Sequence, residues 1–233
     1  MYSPFSITKQ SWFGIVEARP RLGSSKIIII SIHIEIICYN LYGGSMKTLI
    51  LSFSNNLVNE DSFIPNKKGL TFSCVEVCEN KLKEKNIEVE HICINKKKIN
   101  KCFACGKRGW GICLNEHICI QKDDFNDIYK SMSDFDNYIF ITPVYFWEMS
   151  ESAKTFFDRL KRCDAFNDDS KIKGKKIICI ACAGGSGNGT EETLRMFDTL
   201  DHFLKTEMVG RIPVTKFTFE EQKDKIIDAI NSL

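Results

Sequence analysis

From residue 47 onward, short apolar runs alternate with amphipathic stretches. "KTLILSFS" (residues 47–54) is apolar and ends in small polar residues, the pattern of a strand buried on both faces. In "TFSCVEVCENKLKEKN" (71–86), Phe72, Val75, Cys78 and Leu82 recur at three- and four-residue steps, which predicts a helix. "IEVEHICI" (87–94) alternates as a strand does. Residues 123–134 predict a helix entered through acidic residues, which suit its N-terminal dipole. Residues 137–146 predict a strand stopped by Pro143, and residues 151–163 a helix. Residues 175–185 predict a buried strand ending in glycines, followed by a helix over 190–205. A shorter strand over 206–214 and a helix over 219–233 close the chain.

Strand and helix thus alternate five times, which predicts an α/β fold: a doubly wound parallel sheet with helices on both faces. Ligands bind such sheets beyond the carboxyl ends of the strands. The chemistry is therefore expected in loops 52–69, 99–121, 142–150 and 183–189. The cysteine-rich loop 99–121 follows the second strand and is expected on the same edge as the others.

Residues 1–45 differ from the rest. Their "KIIIISIHIEIICY" (26–39) is apolar, but His33 and Glu35 interrupt it and it is too short to span a bilayer comfortably. Met46, Lys47 and the apolar run after them look like a natural beginning, and Gly43-Gly44 is compatible with a ribosome-binding sequence just upstream. Residues 1–45 are expected to be a leader upstream of a start at Met46, or else an extra strand or a disordered arm, and 46–233 the domain. A chain of 233 residues that is 43% hydrophobic can bury a real core without disulfide staples. Its net charge of +2 provides no strong field for nucleic acid or an anionic membrane. Eleven cysteines without a secretory signal point to a reducing cytoplasm, where clustered thiols serve as metal ligands or redox groups.

The loops suggest which chemistry. "NKKGLT" places Lys68, Gly69 and Thr71 at a helix start, an arrangement suited to a phosphate. It is neither a Walker loop nor a G-x-G-x-x-G turn. In "TPVYFWEMSESAKTFFDR", Tyr145, Phe146 and Trp147 are consecutive aromatics that cannot all enter one core and could stack on a planar ring. "ACAGGSGNGT" supplies backbone that a cofactor could approach closely.

This aromatic segment resembles the "SPVYFGSVSGQLKAFIDR" type found in flavodoxin-like NAD(P)H-dependent FMN reductases and iron-sulfur flavoproteins. "INKCFACGKRGWGICLNEHICIQKDDFNDIY" is similar to the family's cysteine segment, and "NKKGLTF" to its phosphate loop. The resemblance covers residues 46–233 and implies a five-stranded flavodoxin-like sheet, order 2-1-3-4-5, with FMN at the switch point. It implies that the FMN phosphate lies on Ser54, Lys68, Gly69, Leu70 and Thr71. The ring would lie on Pro143, Val144, Tyr145, Phe146 and Trp147, with Gly184, Gly185 and Gly187 on its other flank. Two departures stand out: a long loop between Ser54 and Lys68, and bulky Trp147 where a small residue is common.

Cys102, Cys105, Cys113 and Cys119 follow the spacing C-x2-C-x7-C-x5-C. The first pair is a chelating unit, its turn helped by Gly106. In the family's compact motif a third cysteine follows soon after; here Arg108 or its neighbours occupy that place. A [4Fe–4S] cluster, a structural zinc, a dithiol switch and no cofactor all remain open. His117 could replace a thiol on zinc. Cys74, Cys78, Cys93, Cys163, Cys179 and Cys182 are assigned to the core.

The expected function is an FMN-dependent oxidoreductase that takes electrons from NADH or NADPH to an acceptor the sequence does not reveal. Tyr145 is the one candidate proton donor. A flavodoxin-like electron carrier and a zinc-stabilised module without flavin are the rivals. A homodimer is expected, since a flavin face bordered by exposed aromatics is a patch a second subunit could cover.

Overall fold

The computed structural model describes residues 45–54 and 69–233. The expectation for residues 1–45 falls, apart from Ser45, outside the described residues.

The first strand, β1 (Lys47–Ser52), leads to α1 (Leu70–Glu84) and β2 (Glu88–Cys93). A long segment with short 3-10 turns then precedes α2 (Phe125–Ser131) and β3 (Asn137–Tyr145). A two-residue strand, β4 (Glu148–Met149), opens α3 (Glu151–Asp164). The chain continues with β5 (Lys176–Ala183), α4 (Thr190–Leu204), β6 (Glu207–Thr215) and α5 (Phe219–Asn231). Among the described residues, β2-β1-β3-β5-β6 form one parallel sheet, and β4 pairs antiparallel with β3. Leaving aside β4, this is the expected order 2-1-3-4-5.

The two-residue period of a strand sorts the core into two layers. Leu49, Leu51, Tyr138, Phe140 and Cys179 face one side, where α2, α3 and α4 supply Phe125, Phe156, Phe157 and Phe197. Ile50, Ile139, Ile141, Ile178 and Ile180 face the other, against Cys74, Val75 and Cys78 of α1 and Ile226 and Ile230 of α5. Each buried aliphatic or aromatic side chain here contributes roughly 1.5–3 kcal/mol. Cys74, Cys78, Cys179 and Cys182 are buried as expected, whereas Cys93 is half-buried at the end of β2. No helix among the described residues is long and apolar enough to cross a membrane.

Two details depart from the sequence pattern. Pro143 does not stop β3, which runs on to Tyr145. The carbonyl of Ile141 accepts Phe53 N–H across β1, so by alternation the nitrogen of Pro143 also faces β1. The register of β1 ends at Ser52 opposite Ile141, so no ladder bond is lost to the proline. The acids before α2 also serve differently. Asp123 accepts the Asn100 N–H at 2.8 Å and Asp124 the Lys98 N–H at 2.7 Å. They fasten the long segment back on itself, and α2 begins only at Phe125 and passes into a 3-10 turn at Met132.

Candidate functional site

Three structures bear on the chemistry: two lie at the carboxyl edge of the sheet, and the third lies farther down α3. The first is a corner between β1 and α1. Ser54 and Thr71 are buried there, and Gly69 holds the N-cap position in an extended conformation (φ −72°, ψ 153°) with no side-chain cap. The first turn of α1 carries no acidic residue, so the positive end of its dipole is not neutralised from within. Leu70 is half-buried beside it, and Lys68 lies outside the described residues.

The second structure is an aromatic turn. Val144 pairs with Met149 and Tyr145 with Glu148, which leaves Phe146 and Trp147 as a two-residue hairpin connection. Both have positive φ, +47° and +72°. That is the geometry of a type I′ turn, usually filled by Asn and Gly. Bulky residues there cost about 1–3 kcal/mol each and persist only when their surroundings impose them. One such constraint is Gly189, itself at φ +85°: a Cβ there would stand 2.5 Å from Trp147 Cα and 2.7 Å from its carbonyl carbon and oxygen. Just past the turn, Ser150 donates its hydroxyl to the Phe53 carbonyl at 3.0 Å and receives the Ala153 N–H at 3.4 Å, which caps α3. The rings are held outward: Phe146 is 97% exposed, and Tyr145 and Trp147 are about half exposed.

Glycine loop 184–189 runs beside this turn. Gly184 has open space where a Cβ would project, and Gly187 sits at φ +71° against Thr215. Phe217, largely exposed, packs its ring edge 3.0 Å from where a Gly185 Cβ would be. Sequence reasoning passed over Phe217, although it follows the carboxyl end of β6, an edge position like the others.

The third structure is a cleft lined by Cys102, Cys105, Cys113 and Cys119, so all four predicted thiols face one space. The cleft is about 360 Å³ out to its open mouth. Cys105 is exposed, Cys113 buried, and the other two lie between. Two glycines let the loop close on itself: a side chain on Gly106 would run into the Trp110 carbonyl, and one on Gly111 into the Cys105 sulfur. Ala104, Arg108 and His117 all adopt left-handed backbone. Asn126 holds Cys119 by both backbone groups, accepting its N–H at 3.0 Å and donating to its carbonyl at 2.8 Å. Among the described residues, no three of His, Cys, Asp and Glu stand close enough to share one metal ion. The ring of His117 meets the Cys163 carbonyl at 3.2 Å through Nδ1.

The inner wall of this cleft comes from α3, which supplies Arg159, Arg162 and Cys163. Cys163 is therefore not only a core residue. Arg159 is 1% exposed and forms a bidentate pair with Asp123, at 2.6 and 2.8 Å, and donates to the Asn100 carbonyl at 2.9 Å. Its Nε–H has no hydrogen-bond partner among the described residues. Burial alone would raise the Asp123 carboxyl, but hydrogen bonds from Arg159 and from backbone N–H groups outweigh it and hold the carboxyl below its ordinary range. Arg162 donates to the Gly109 carbonyl at 2.6 Å and lies 4.8 Å from the centre of the Trp110 ring. The cleft does not share the aromatic edge. Arg159 and Cys163 follow Ser150 by nine and thirteen residues, which places them roughly 13 and 20 Å down the helix.

A fourth arrangement has the order of a hydrolytic triad. Ser52 Oγ is 2.7 Å from His91 Nε2, and His91 Nδ1 is 3.7 Å from Glu79. Ser52 is fully buried within the sheet, so its hydroxyl cannot meet a substrate. Burial pushes the His91 ring below its ordinary pKa, against the pull of Glu79.

Comparison with known proteins agrees with this geometry. The profile of the NADPH-dependent FMN reductase family matches residues 46–218. An iron-sulfur flavoprotein of Methanocaldococcus jannaschii is 33% identical over 146 residues, 62% of this chain and 69% of that protein. An iron-sulfur flavoprotein of Archaeoglobus fulgidus is 30% identical over 127 residues, 54% of each chain. The chain thus spans between about half and two thirds of these relatives. The solved NAD(P)H:quinone oxidoreductase from Methanothermobacter marburgensis aligns with a TM-score of 0.57 at 18% identity, covering 81% of this chain and 97% of that one. At that identity the likeness speaks for the fold alone.

Proposed function

Because this chain belongs to the NADPH-dependent FMN reductase family, we propose that it binds FMN and oxidises NADH or NADPH, passing the electrons to an acceptor. The observation that carries this reading is the exposed aromatic turn, held against a glycine loop on the edge that also bears the uncapped start of α1. β1 and β3 are neighbours whose connections leave in opposite directions, the switch point where such sheets take a ligand. The phosphate is assigned to Ser54, Lys68, Gly69, Leu70 and Thr71. The ring is assigned to residues 143–147, with Gly184, Gly185 and Gly187 on its other flank. When bound, the flavin supplies the hydride chemistry. The chain's residues bind it, orient it and exclude water; the Tyr145 phenol is either a ring contact or the proton donor.

Four thiols lining one cleft suit an iron-sulfur cluster, in which each iron takes its own thiolate. Cys102, Cys105, Cys113 and Cys119 are therefore assigned to an iron-sulfur cluster, and a reducing cytoplasm is the setting that keeps such thiols available. Exposed Phe146, Trp147 and Phe217 suit coverage by a second copy of the chain, as a homodimer.

The test is the visible spectrum of anaerobically purified protein, followed by steady-state oxidation of NADH and NADPH. Flavin absorption with turnover supports the reading; protein that takes up no added FMN sinks it. Bulky Trp147, where it could narrow the nicotinamide face, favours a second reading as an electron carrier. FMN-loaded protein that oxidises neither nucleotide, yet accepts electrons from a chemical reductant, would select it.

A further inference from the structure

We propose that Cys163 is a fifth sulfur of the thiol site, a reserve ligand on α3 that takes an iron position when a loop thiol is lost. The inference rests on the cluster reading above and concerns which residues of this chain serve it. Sequence proximity groups only the four loop cysteines, but the cleft they line is walled by Cys163 as well. Arg159 and Cys163 are four residues apart on one helix and so share a face, and that face meets the loop. Cys163 is 1% exposed, and its carbonyl is engaged by His117 Nδ1 at 3.2 Å and by the Tyr129 hydroxyl at 3.3 Å. Its backbone is therefore fixed on a rigid element while the thiol borders the cleft.

The loop gives a reason for a reserve. Its spacing is uneven, with Arg108 in left-handed backbone where a compact motif would place a third thiol. At the same wall Arg159 is 1% exposed and keeps an Nε–H with no hydrogen-bond partner among the described residues. Hydrogen bonds from such donors to ligating sulfurs stabilise a negatively charged centre. Ligand exchange would need no oxidant: an iron lacking its loop thiolate would carry water or hydroxide, that Fe–O bond would break as the Cys163 S–Fe bond forms, the thiol proton would leave with the displaced oxygen ligand or to solvent, and no electron would move. A cysteine that only filled the core would affect stability and nothing else.

The experiment loads the full chain anaerobically with iron and sulfide and measures iron per chain and the electron paramagnetic resonance of the reduced protein. FMN binding reports that each variant is folded. Cys163→Ala alone keeps its iron. Cys119→Ser and Cys113→Ser keep most of theirs with an altered resonance. Adding Cys163→Ala to either lowers iron about tenfold or more, the scale of a lost supporting ligand. Complete iron loss in both single variants, or equal iron in single and double variants, overturns the proposal. A wild type that takes up no iron removes the cluster reading instead. The thiol set is then read with Cd²⁺ by its thiolate charge-transfer band, and equal bands in Cys119→Ser with and without Cys163→Ala overturn the fifth sulfur on its own.

Discussion

Gly189→Ala tests whether the aromatic turn is held by the glycine loop. Two costs add at this position. An L-residue at φ +85° costs about 1–2 kcal/mol. The new methyl would also stand 2.5 Å from Trp147 Cα, where carbon contacts settle near 3.5–4.0 Å, so one backbone must retreat by roughly 1 Å. Trp147 has no slack, being the second residue of a two-residue turn at φ +72°. Overpacking of this kind costs about 1–3 kcal/mol. The expected destabilisation is therefore about 2–5 kcal/mol. Gly174→Ala is the control: its φ is +73°, but nothing lies within 4 Å of the added Cβ, so only the first cost applies.

Urea unfolding of both variants, with and without FMN, separates the two effects. Gly189→Ala should be less stable than Gly174→Ala by about 1–3 kcal/mol. It should also bind FMN more weakly. Forfeiting one stacked contact, about 0.5–1.5 kcal/mol, reads as roughly two- to tenfold in Kd. Gly174→Ala should leave FMN affinity unchanged. Equal destabilisation of the two variants, with equal FMN affinity, would refute the coupling of the glycine loop to the turn.

Tyr145→Ala and Trp147→Ala should each weaken FMN by roughly two- to tenfold, read by flavin fluorescence; no change in the double variant would remove the aromatic platform. Thr71→Val should weaken FMN by about tenfold or more but spare riboflavin, which lacks the phosphate, and equal losses would remove the phosphate role. Asp123 has a depressed carboxyl in the folded state, so its stabilisation is present above the unfolded value near pH 4 and is lost as the pH falls through the folded one. Asp123→Asn should flatten the fall of the urea midpoint below about pH 4 and cost about 3–5 kcal/mol at pH 7, since a buried Arg159 loses its partner; an unaltered acid limb counts against it. Replacing Cys102, Cys105, Cys113 and Cys119 with Ser together should abolish iron binding with FMN retained, and loss of both cofactors would show that the loops are not independent.

The fold was legible because each strand and helix carries its own period. Leu49 and Ile50 face opposite layers, and five alternations of strand and helix leave few topologies. The edge bearing the aromatic turn followed from the same rule. Other features depended on partners distant in sequence. Pro143 could remain in β3 only because β1 ends opposite Ile141. Asp123 and Asp124 read as helix-start acids until Lys98, Asn100 and Arg159 are seen to use their carboxylates. The left-handed pair at Phe146 and Trp147 carried no turn residue to announce it. Cys163 fell on the apolar side of an amphipathic helix, 44 positions after Cys119, so its period assigned it to the core.

The position of α3 explains why the two candidate sites can vary separately. The helix begins at the aromatic edge, where Ser150 and Ser152 both donate to the Phe53 carbonyl at the end of β1. Its middle is buried in a ring cluster: Phe156 and Phe157 meet Phe53 at 5.9 and 5.1 Å, and Phe156 meets Phe125 at 5.4 Å. Its later turns carry Arg159, Arg162 and Cys163 to the thiol cleft. The long segment after β2 leaves the carboxyl edge and is tied down along this helix by Arg159 and Arg162, which is why the cysteines do not lie beside the aromatic turn. The helix is therefore a rigid spacer with one site at each end. Changes of side chain in the thiol loop leave the Ser150 and Ser152 anchors in place, and changes in the aromatic turn leave the Asp123–Arg159 pair in place. What would couple the two is damage to the ring cluster between them, because packed interiors transmit displacement where loops absorb it.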